Sequence, residues 1–542
     1  MMPPDGRLAR SVDVGLGCAL ALAAVWLRVE YVGHAGALWR DEIDSVNVAA
    51  RATLGDVLAH QQLDSFPVAW VSALHGWIAS GFGAGDASVR RFGGMIGVLT
   101  VGIVWWCGRR IAGRVPLVSL LLLGASASMV VYGSEVRGYG LATIAILCSL
   151  AATWTYVTQP GTGTFLVAGL AAVLATQTSY ANPFLLVATA AAGAAVAILR
   201  REWLSIAGLT VIGLAAVASL GIEARAMAST ARDTIIDQGD YPLAARIAMF
   251  RDSLAPGVRL LAWTWAAAAL AGTAGWVVAW LRPMDREERE RALFAAVTAT
   301  ASVACTCAYL LLLVRVSTQH WYYLTLMAVL ATTFEVGIVA LARRVPYGAI
   351  GRAALVAVVA LALVVGGDAA ATVRLRMTNV DVVAAAIAKD ARPDDLVVVL
   401  PWYVGTSFAR YWRGPAPWIA FPDVRFTDTA RPHAQVAERM TRGEDGVQPE
   451  LERIERTLRA GGRVWIVGLP MLPPKDRPLE ALPPAPGGPE GWASGPYLEG
   501  WAMRLGALLR SGARDVWKIP PPDLGPVNTH ENMPIVLLEG WR

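Results

Sequence analysis

The sequence predicts an α-helical protein that crosses a membrane about eleven times and ends in an α/β domain. Hydrophobic residues make up 55% of the 542-residue chain and charged residues only 16%, whereas soluble domains are about one quarter charged. Apolar runs close to the roughly 20 residues that span the hydrocarbon layer recur over residues 14–367 and then stop. We therefore predict a membrane domain over residues 1–370 and an α/β domain over residues 371–542.

The arginine distribution predicts the orientation of the spans. Arginine clusters fall at residues 109–114, 200–201, 282–291 and 343–344, in loops that share one face if the N-terminus is cytoplasmic. The net charge of +5 therefore reflects topology, and nucleic-acid binding is not indicated. An odd number of spans then puts the C-terminal domain outside. The predicted spans are 13–30, 88–107, 116–132, 138–158, 163–181, 183–199, 204–222, 259–281, 292–313, 322–341 and 352–368.

The first predicted external segment, residues 31–87, carries an acidic pair, Asp41 and Glu42, directly after the first span. A carboxylate at a membrane face can act as a general base. The alternative is a solvated pair, or the cap of a helix over residues 43–50. Further along, residues 66–82 predict an interfacial helix, and Asp64 either faces the same cavity or caps that helix.

Residues 132–139 form a second predicted external segment, which contains Arg137 and Tyr139. The positive-inside rule disfavours an arginine on this face, and a guanidinium there could bind a phosphate bidentately. Glycines at 133, 138 and 140 would let the backbone approach a ligand closely. The alternative is a salt bridge from Arg137 to Glu135 or Asp41.

Arg315, His320 and Tyr323 lie at the external end of a later span. They predict either contacts to a phosphate or sugar or an ordinary interfacial aromatic belt. The polar external loop 223–257 predicts a mobile lid or a substrate-binding element. The five cysteines all fall in or beside apolar runs and predict packed thiols.

After residue 374, apolar runs at 396–400, 463–467 and 535–538 predict strands, and residues 450–458 and 497–509 predict helices. A proline-rich loop is predicted over 469–489. Four aromatic residues follow the first strand and suit either sugar stacking or core packing: Trp402, Tyr403, Tyr411 and Trp412. No chemical motif is identified in this domain, for which capping the membrane cavity or binding an acceptor glycan is expected.

These segments together resemble the GT-C glycosyltransferases, the membrane enzymes related to protein O-mannosyltransferases and to aminoarabinose transferases of lipid A. The resemblance covers roughly residues 10–370 and rests on four segments: 38–42, 64–67, 132–139 and 320–323. The sequence departs from many relatives at Phe66-Pro67, where they have two prolines, and at His320-Trp321-Tyr322, where they have an arginine-tyrosine signature.

The resemblance implies transfer of a sugar from a polyprenyl-phosphate-linked donor to a glycan, lipid or protein hydroxyl. It also implies a multi-pass protein of the bacterial cytoplasmic membrane with an external, periplasmic C-terminal domain. Asp41 would be the base, Glu42 a supporting carboxylate and Arg137 a phosphate ligand. No cofactor is required, and a divalent metal held by the acidic pair stays an open alternative. Two other functions remain open: a polymerase or ligase of lipid-linked glycans, and a transporter or flippase, for which charges buried mid-helix would be expected.

Overall fold

A computed structural model describes residues 4–223, 241–314, 316–426, 432–474, 479–485, 493–522 and 524–542. The chain divides into two compact units. The first contains Met1–Gly33, Ala52–Arg225 and Tyr241–Arg374, and the second includes Leu375–Arg542. The second unit also includes His34–Arg51, the segment that carries the acidic pair.

The described part of the first unit has nine helices that are long and apolar enough to cross a membrane. Their lengths meet the requirement of about 20 residues, and they confirm the predicted multi-spanning helical fold. They are Arg7–His34, Asp86–Ala112, Tyr139–Thr158, Asn182–Arg200, Trp203–Ile222, Arg259–Leu281, Arg286–Leu312, His320–Ala342 and Gly348–Gly366.

Two of the eleven predicted spans form shorter helices. The run 116–132 is divided into Leu117–Ala125 and Ala127–Val131, and the run 163–181 becomes Thr162–Thr176. Hydropathy alone could not predict these ends, because an apolar run can continue past the point where the helix stops. The other α-helices outside the spans are Arg40–Ala49, Leu54–Ala59, Val68–Trp77, Leu243–Leu254 and Asp368–Val373.

A buried ion network lies among the spans. Arg352 donates to Asp13 and to Glu335, both at 2.8 Å. The other oxygen of Glu335 accepts the backbone amides of Val118 and Ser119 at 2.8 and 2.9 Å, at the start of Leu117–Ala125, where helix amides lack intrahelical partners. Asp13, Glu335 and Arg352 all lie within helices and not in loops. These charges compensate one another and fix a helix end.

Glycines allow two spans to pack closely. A β-carbon on Gly275 would collide with the carbonyl of Gly337, and one on Gly337 would collide with that of Gly272. Small residues of this kind allow close backbone contact between membrane helices, where no hydrophobic effect drives association. The spans Arg259–Leu281 and His320–Ala342 are joined in this way.

The C-terminal part of the second unit contains a five-stranded mixed sheet. The strands are β1 (Leu396–Val399), β2 (Trp418–Ala420), β3 (Val464–Val467), β4 (Ala513–Ile519) and β5 (Ile535–Trp541). Their order is β2-β1-β3-β5-β4, with β1 parallel to β2 and β3, and β5 antiparallel to β3 and β4. The surrounding α-helices are Val380–Asp390, Gly405–Tyr411, Pro432–Met440, Gln448–Arg459 and Gly495–Gly512.

Both faces of this sheet are covered. Val398 of β1 packs with Ile454 and Trp501 on one face, and Val399 packs with Val383 on the other. Strands buried on both faces are apolar along their whole length. This explains why β1, β3 and β5 were predicted correctly from apolar runs, whereas β2 has three residues and β4 is largely exposed.

Candidate active site

Arg137 is the centre of the predicted site in the first unit. Its side chain is 5% exposed, and Nη1 lies 3.5 Å from Oδ1 of Asp64. Nη2 donates to Oγ of Ser65, and Cζ lies 4.8 Å from the ring centroid of Phe66. The guanidinium is therefore oriented by a carboxylate, a hydroxyl and an aromatic face.

Asp64 accepts a backbone amide and also pairs with the arginine. Its Oδ1 also accepts the backbone amide of Phe66 at 3.0 Å, and the helix Val68–Trp77 begins two residues later. Pro67 precedes that helix as its N-cap residue and is not in its first turn. Arg137 thus has a salt bridge to Asp64, a partner that the sequence analysis did not name.

The glycines near Arg137 serve internal packing. A β-carbon on Gly138 would overlap the ring of Phe66, and one on Gly140 would overlap the carbonyl of Gly133. Gly133 itself lies against the carbonyl of Met129. These contacts bring the chain close to itself, so they provide no support for the predicted close approach of a ligand.

An aromatic cluster runs from Phe66 to His320. Tyr139 contacts Phe66 edge-on with centroids 4.7 Å apart and lies 6.2 Å from Trp321. Trp321 contacts Tyr132 at 5.0 Å, and Tyr132 stacks on His320 at 6.3 Å. The structure therefore brings together residues of three predicted site segments, 64–67, 132–139 and 320–323.

His320 is also bound to the helix Leu243–Leu254. Its Nδ1 lies 3.1 Å from Oγ of Ser253, and its Nε2 lies 3.7 Å from Oδ2 of Asp252. Which ring nitrogen donates a hydrogen bond and which accepts one depends on the tautomer of the imidazole. The predicted contact residue Arg315 and residues 224–240 of the predicted lid lie outside the described residues.

Arg246, on the same helix, was missed by the sequence analysis. Its side chain is buried, and Nη2 donates to the carbonyl of Val314 at 2.6 Å. The hydroxyl of Tyr323 lies 3.0 Å from the Arg246 carbonyl and 2.9 Å from Oγ1 of Thr318. The signal was an arginine within the predicted external loop 223–257, which the sequence analysis did not single out.

The acidic pair belongs to the second unit, at the first turn of the helix Arg40–Ala49. Glu42 is fully buried, and its Oε2 accepts the backbone amide of Trp39 at 3.2 Å. The Asp41 side chain is 28% exposed, and its Oδ1 lies 3.3 Å from Nε of Arg40. The capping alternative thus holds for Glu42, while Asp41 is the more exposed carboxylate of the pair.

Metal-ligating residues are not grouped in the described part of the chain. Across those residues, no set of three or more His, Cys, Asp and Glu side chains has a geometry that could hold a metal ion.

The chain is thus a multi-spanning helical membrane protein with a C-terminal α/β domain. It is similar to the Archaeoglobus fulgidus oligosaccharyltransferase solved in complex with Zn and sulfate, with 11% identity, 83% of this chain and 68% of that chain covered, and a TM-score of 0.50. It is also similar to ArnT from Cupriavidus metallidurans bound to undecaprenyl phosphate, with 14% identity, 84% and 93% covered, and a TM-score of 0.48.

No family model and no curated protein matches the sequence. At these identities the similarity to the oligosaccharyltransferase concerns the fold alone. It confirms the GT-C fold that the resemblance of the sequence implied.

Proposed function

We propose that this protein is a glycosyltransferase that transfers a sugar from a polyprenyl-phosphate-linked donor to a hydroxyl at the external membrane face. The acceptor is a glycan, a lipid or a protein. One observation carries the proposal. A partly exposed carboxylate, Asp41, follows the first span directly, and its neighbour Glu42 is buried and fixes the helix start. The GT-C fold, shared with an oligosaccharyltransferase, supports it.

In the proposed reaction, the acceptor hydroxyl attacks the anomeric carbon while Asp41 takes its proton. The new glycosidic bond forms as the bond from that carbon to the phosphate oxygen breaks, and the polyprenyl phosphate leaves with the electron pair. A single displacement of this kind inverts the anomeric configuration. Positioning and one base are sufficient, because the phosphate is a good leaving group.

Arg137 is the proposed ligand of the donor phosphate. A guanidinium oriented by Asp64 and Ser65 is preorganised, so it need not reorganise when negative charge develops on the leaving group. For the sugar, we propose contacts from the nearby aromatic cluster through Tyr139 and His320. Tyr323 and Arg315 stay proposed contact residues on the basis of the sequence. Aromatic rings offer apolar faces that suit the C–H faces of sugars.

The test is turnover of a panel of polyprenyl-phosphate sugars by the purified protein in nanodiscs. Asp41→Asn should abolish transfer, whereas Asp44→Asn, on the same helix, should retain it. NMR of the product should show an anomer opposite to that of the donor. Full transfer by Asp41→Asn would refute the base assignment, and absence of turnover across the panel by the wild type would refute the proposed donor class.

A further inference from the structure

The acidic motif, residues 38–42, is bound by residues from far along the chain. The hydroxyl of Tyr411 accepts the backbone amide of Leu38 at 2.8 Å and lies 3.2 Å from the Leu38 carbonyl. The ring of Trp39 stacks on that of His530, with centroids 5.9 Å apart. All of these residues belong to the second unit, and together they fix the two residues before Arg40.

Glu531 binds the next residue. Its Oε1 accepts the backbone amide of Arg40 at 3.2 Å and lies 3.7 Å from Nη1 of the same arginine. The hydroxyl of Ser407 lies 3.1 and 2.9 Å from the two carboxylate oxygens. The Arg40 guanidinium also lies 4.5 Å from the ring centroid of Tyr403. Arg40 is therefore fixed through its backbone and its side chain, and its Nε faces Asp41.

Glu531 provides a hydrogen-bond acceptor at the start of the helix. Arg40 is the first residue of Arg40–Ala49, and the first amides of a helix have no intrahelical acceptor. A carboxylate at this end also interacts favourably with the helix dipole. Burial raises the pKa of Glu531 to about 7, although the charge of Arg40 lowers it. Burial thus disfavours the charged form of Glu531, and this buried carboxyl group contacts the first residue of the helix that carries the acidic pair.

We propose that the C-terminal α/β domain positions the acidic motif, and that Glu531 is a positioning residue that sets Asp41 through Arg40. This inference rests on the proposed function, in which Asp41 is the base. It gives the C-terminal domain a role in the chemistry that the sequence did not indicate. It also accounts for two of the four aromatic residues after β1, since Tyr403 and Tyr411 contact this segment.

The test compares two buried glutamates of the same unit. Glu450 is 3% exposed, accepts the backbone amide of Asp423 at 2.9 Å and pairs with Arg439 at 3.1 Å, with no contact to the acidic motif among those described. Glu531→Ala should lower kcat by roughly ten- to a hundred-fold with donor KM unchanged, because misplacing a reacting group by about 1 Å costs this much. Glu450→Ala should lower abundance but leave the kcat of the folded protein unchanged.

Glu531→Gln adds a second measurement. The amide oxygen can still accept the Arg40 amide, so this variant should recover part of the kcat lost in Glu531→Ala. Hydrogen exchange should rise in residues 38–49 in Glu531→Ala and stay unchanged there in Glu450→Ala. Wild-type exchange in that segment of Glu531→Ala would overturn the positioning role, whatever reaction the protein catalyses.

The outcomes separate this inference from the proposed function. If Asp41→Asn is inactive and Glu531→Ala has wild-type kcat, only the positioning role is wrong. If Asp41→Asn is fully active, the base assignment is wrong. An equal fall of kcat in Glu531→Ala and Glu450→Ala would show that Glu531 acts through the stability of the domain, and would also overturn the positioning role.

Discussion

Replacing Arg137 separates a phosphate ligand from a structural ion pair, because the two roles predict different results when Asp64 is replaced as well. The two side chains are buried and 3.5 Å apart. Removing one member of a buried pair leaves the other charge uncompensated, which costs about 3–5 kcal/mol of stability. Arg137→Ala should therefore reduce abundance under either role, and abundance alone cannot decide between them.

The donor KM distinguishes the two roles of Arg137. Loss of a charge-assisted contact to phosphate costs about 1.5–3 kcal/mol, which is roughly a ten- to hundred-fold rise in donor KM. Arg137→Lys should restore only part of this loss, because an ammonium lacks the planar fork of the guanidinium. The double variant Asp64→Asn/Arg137→Ala removes both charges, so stability should recover in part while donor KM stays high.

The assay is donor titration in nanodiscs at saturating acceptor, with the folded fraction measured by size-exclusion chromatography. Arg352→Ala is the matched control, since Arg352 is also a buried arginine paired with carboxylates, Asp13 and Glu335. It should lower abundance without changing donor KM. A double variant of Asp64 and Arg137 with wild-type donor KM would refute the phosphate assignment and leave Arg137 a structural residue, with the His320 cluster as the next candidate.

Three further predictions concern topology, stability and pH. A thiol reagent that cannot cross the membrane should label Thr441→Cys but not Val345→Cys in intact cells, above the background of the native cysteines; the reverse pattern would overturn the external C-terminal domain. Glu335→Ala should lower thermal stability by about 1–3 kcal/mol for each of the two helix amides that lose their acceptor, while Arg352 keeps its contact with Asp13; an unchanged melting temperature would contradict this. The raised pKa of Glu531 makes its contribution to stability fully present below its ordinary pKa of 4.5 and lost as pH rises through about 7. Glu531→Gln should therefore remove that part of the pH dependence of urea unfolding, about 3 kcal/mol in total at about 1.4 kcal/mol per pKa unit, and an identical pH profile would contradict it.

The parts of the fold that could be predicted are segments in which every side chain has similar apolar surroundings. β1 and β3 are apolar at every position because both of their faces are covered, and the long spans are apolar because lipid surrounds them. β4 was missed because most of its side chains are exposed, so its sequence contains no continuous apolar run. The pattern of apolar residues in a segment depends on which of its side chains are buried. An exposed edge strand buries few side chains, so its sequence shows no clear apolar pattern.

The site contacts that were missed join residues far apart in the chain. Glu531 follows Arg40 by 491 positions, and Arg137 follows Ser65 by 72. Glu531 is not marked by a local pattern, since a lone glutamate in a polar C-terminal segment is typical of solvent exposure. Such pairs become visible only when tertiary structure shows which charges are buried together.

The acidic pair shows how helix geometry assigns different roles to adjacent residues. Successive residues on an α-helix point about 100° apart, so one member of a pair can face the protein interior while the next remains reachable. Glu42 points inward and accepts the amide of Trp39, which the first turn of a helix requires. Asp41 is left partly exposed beside Arg40. The proposed division into base and support therefore follows from where the helix begins, and Glu531 contacts the chain at that residue.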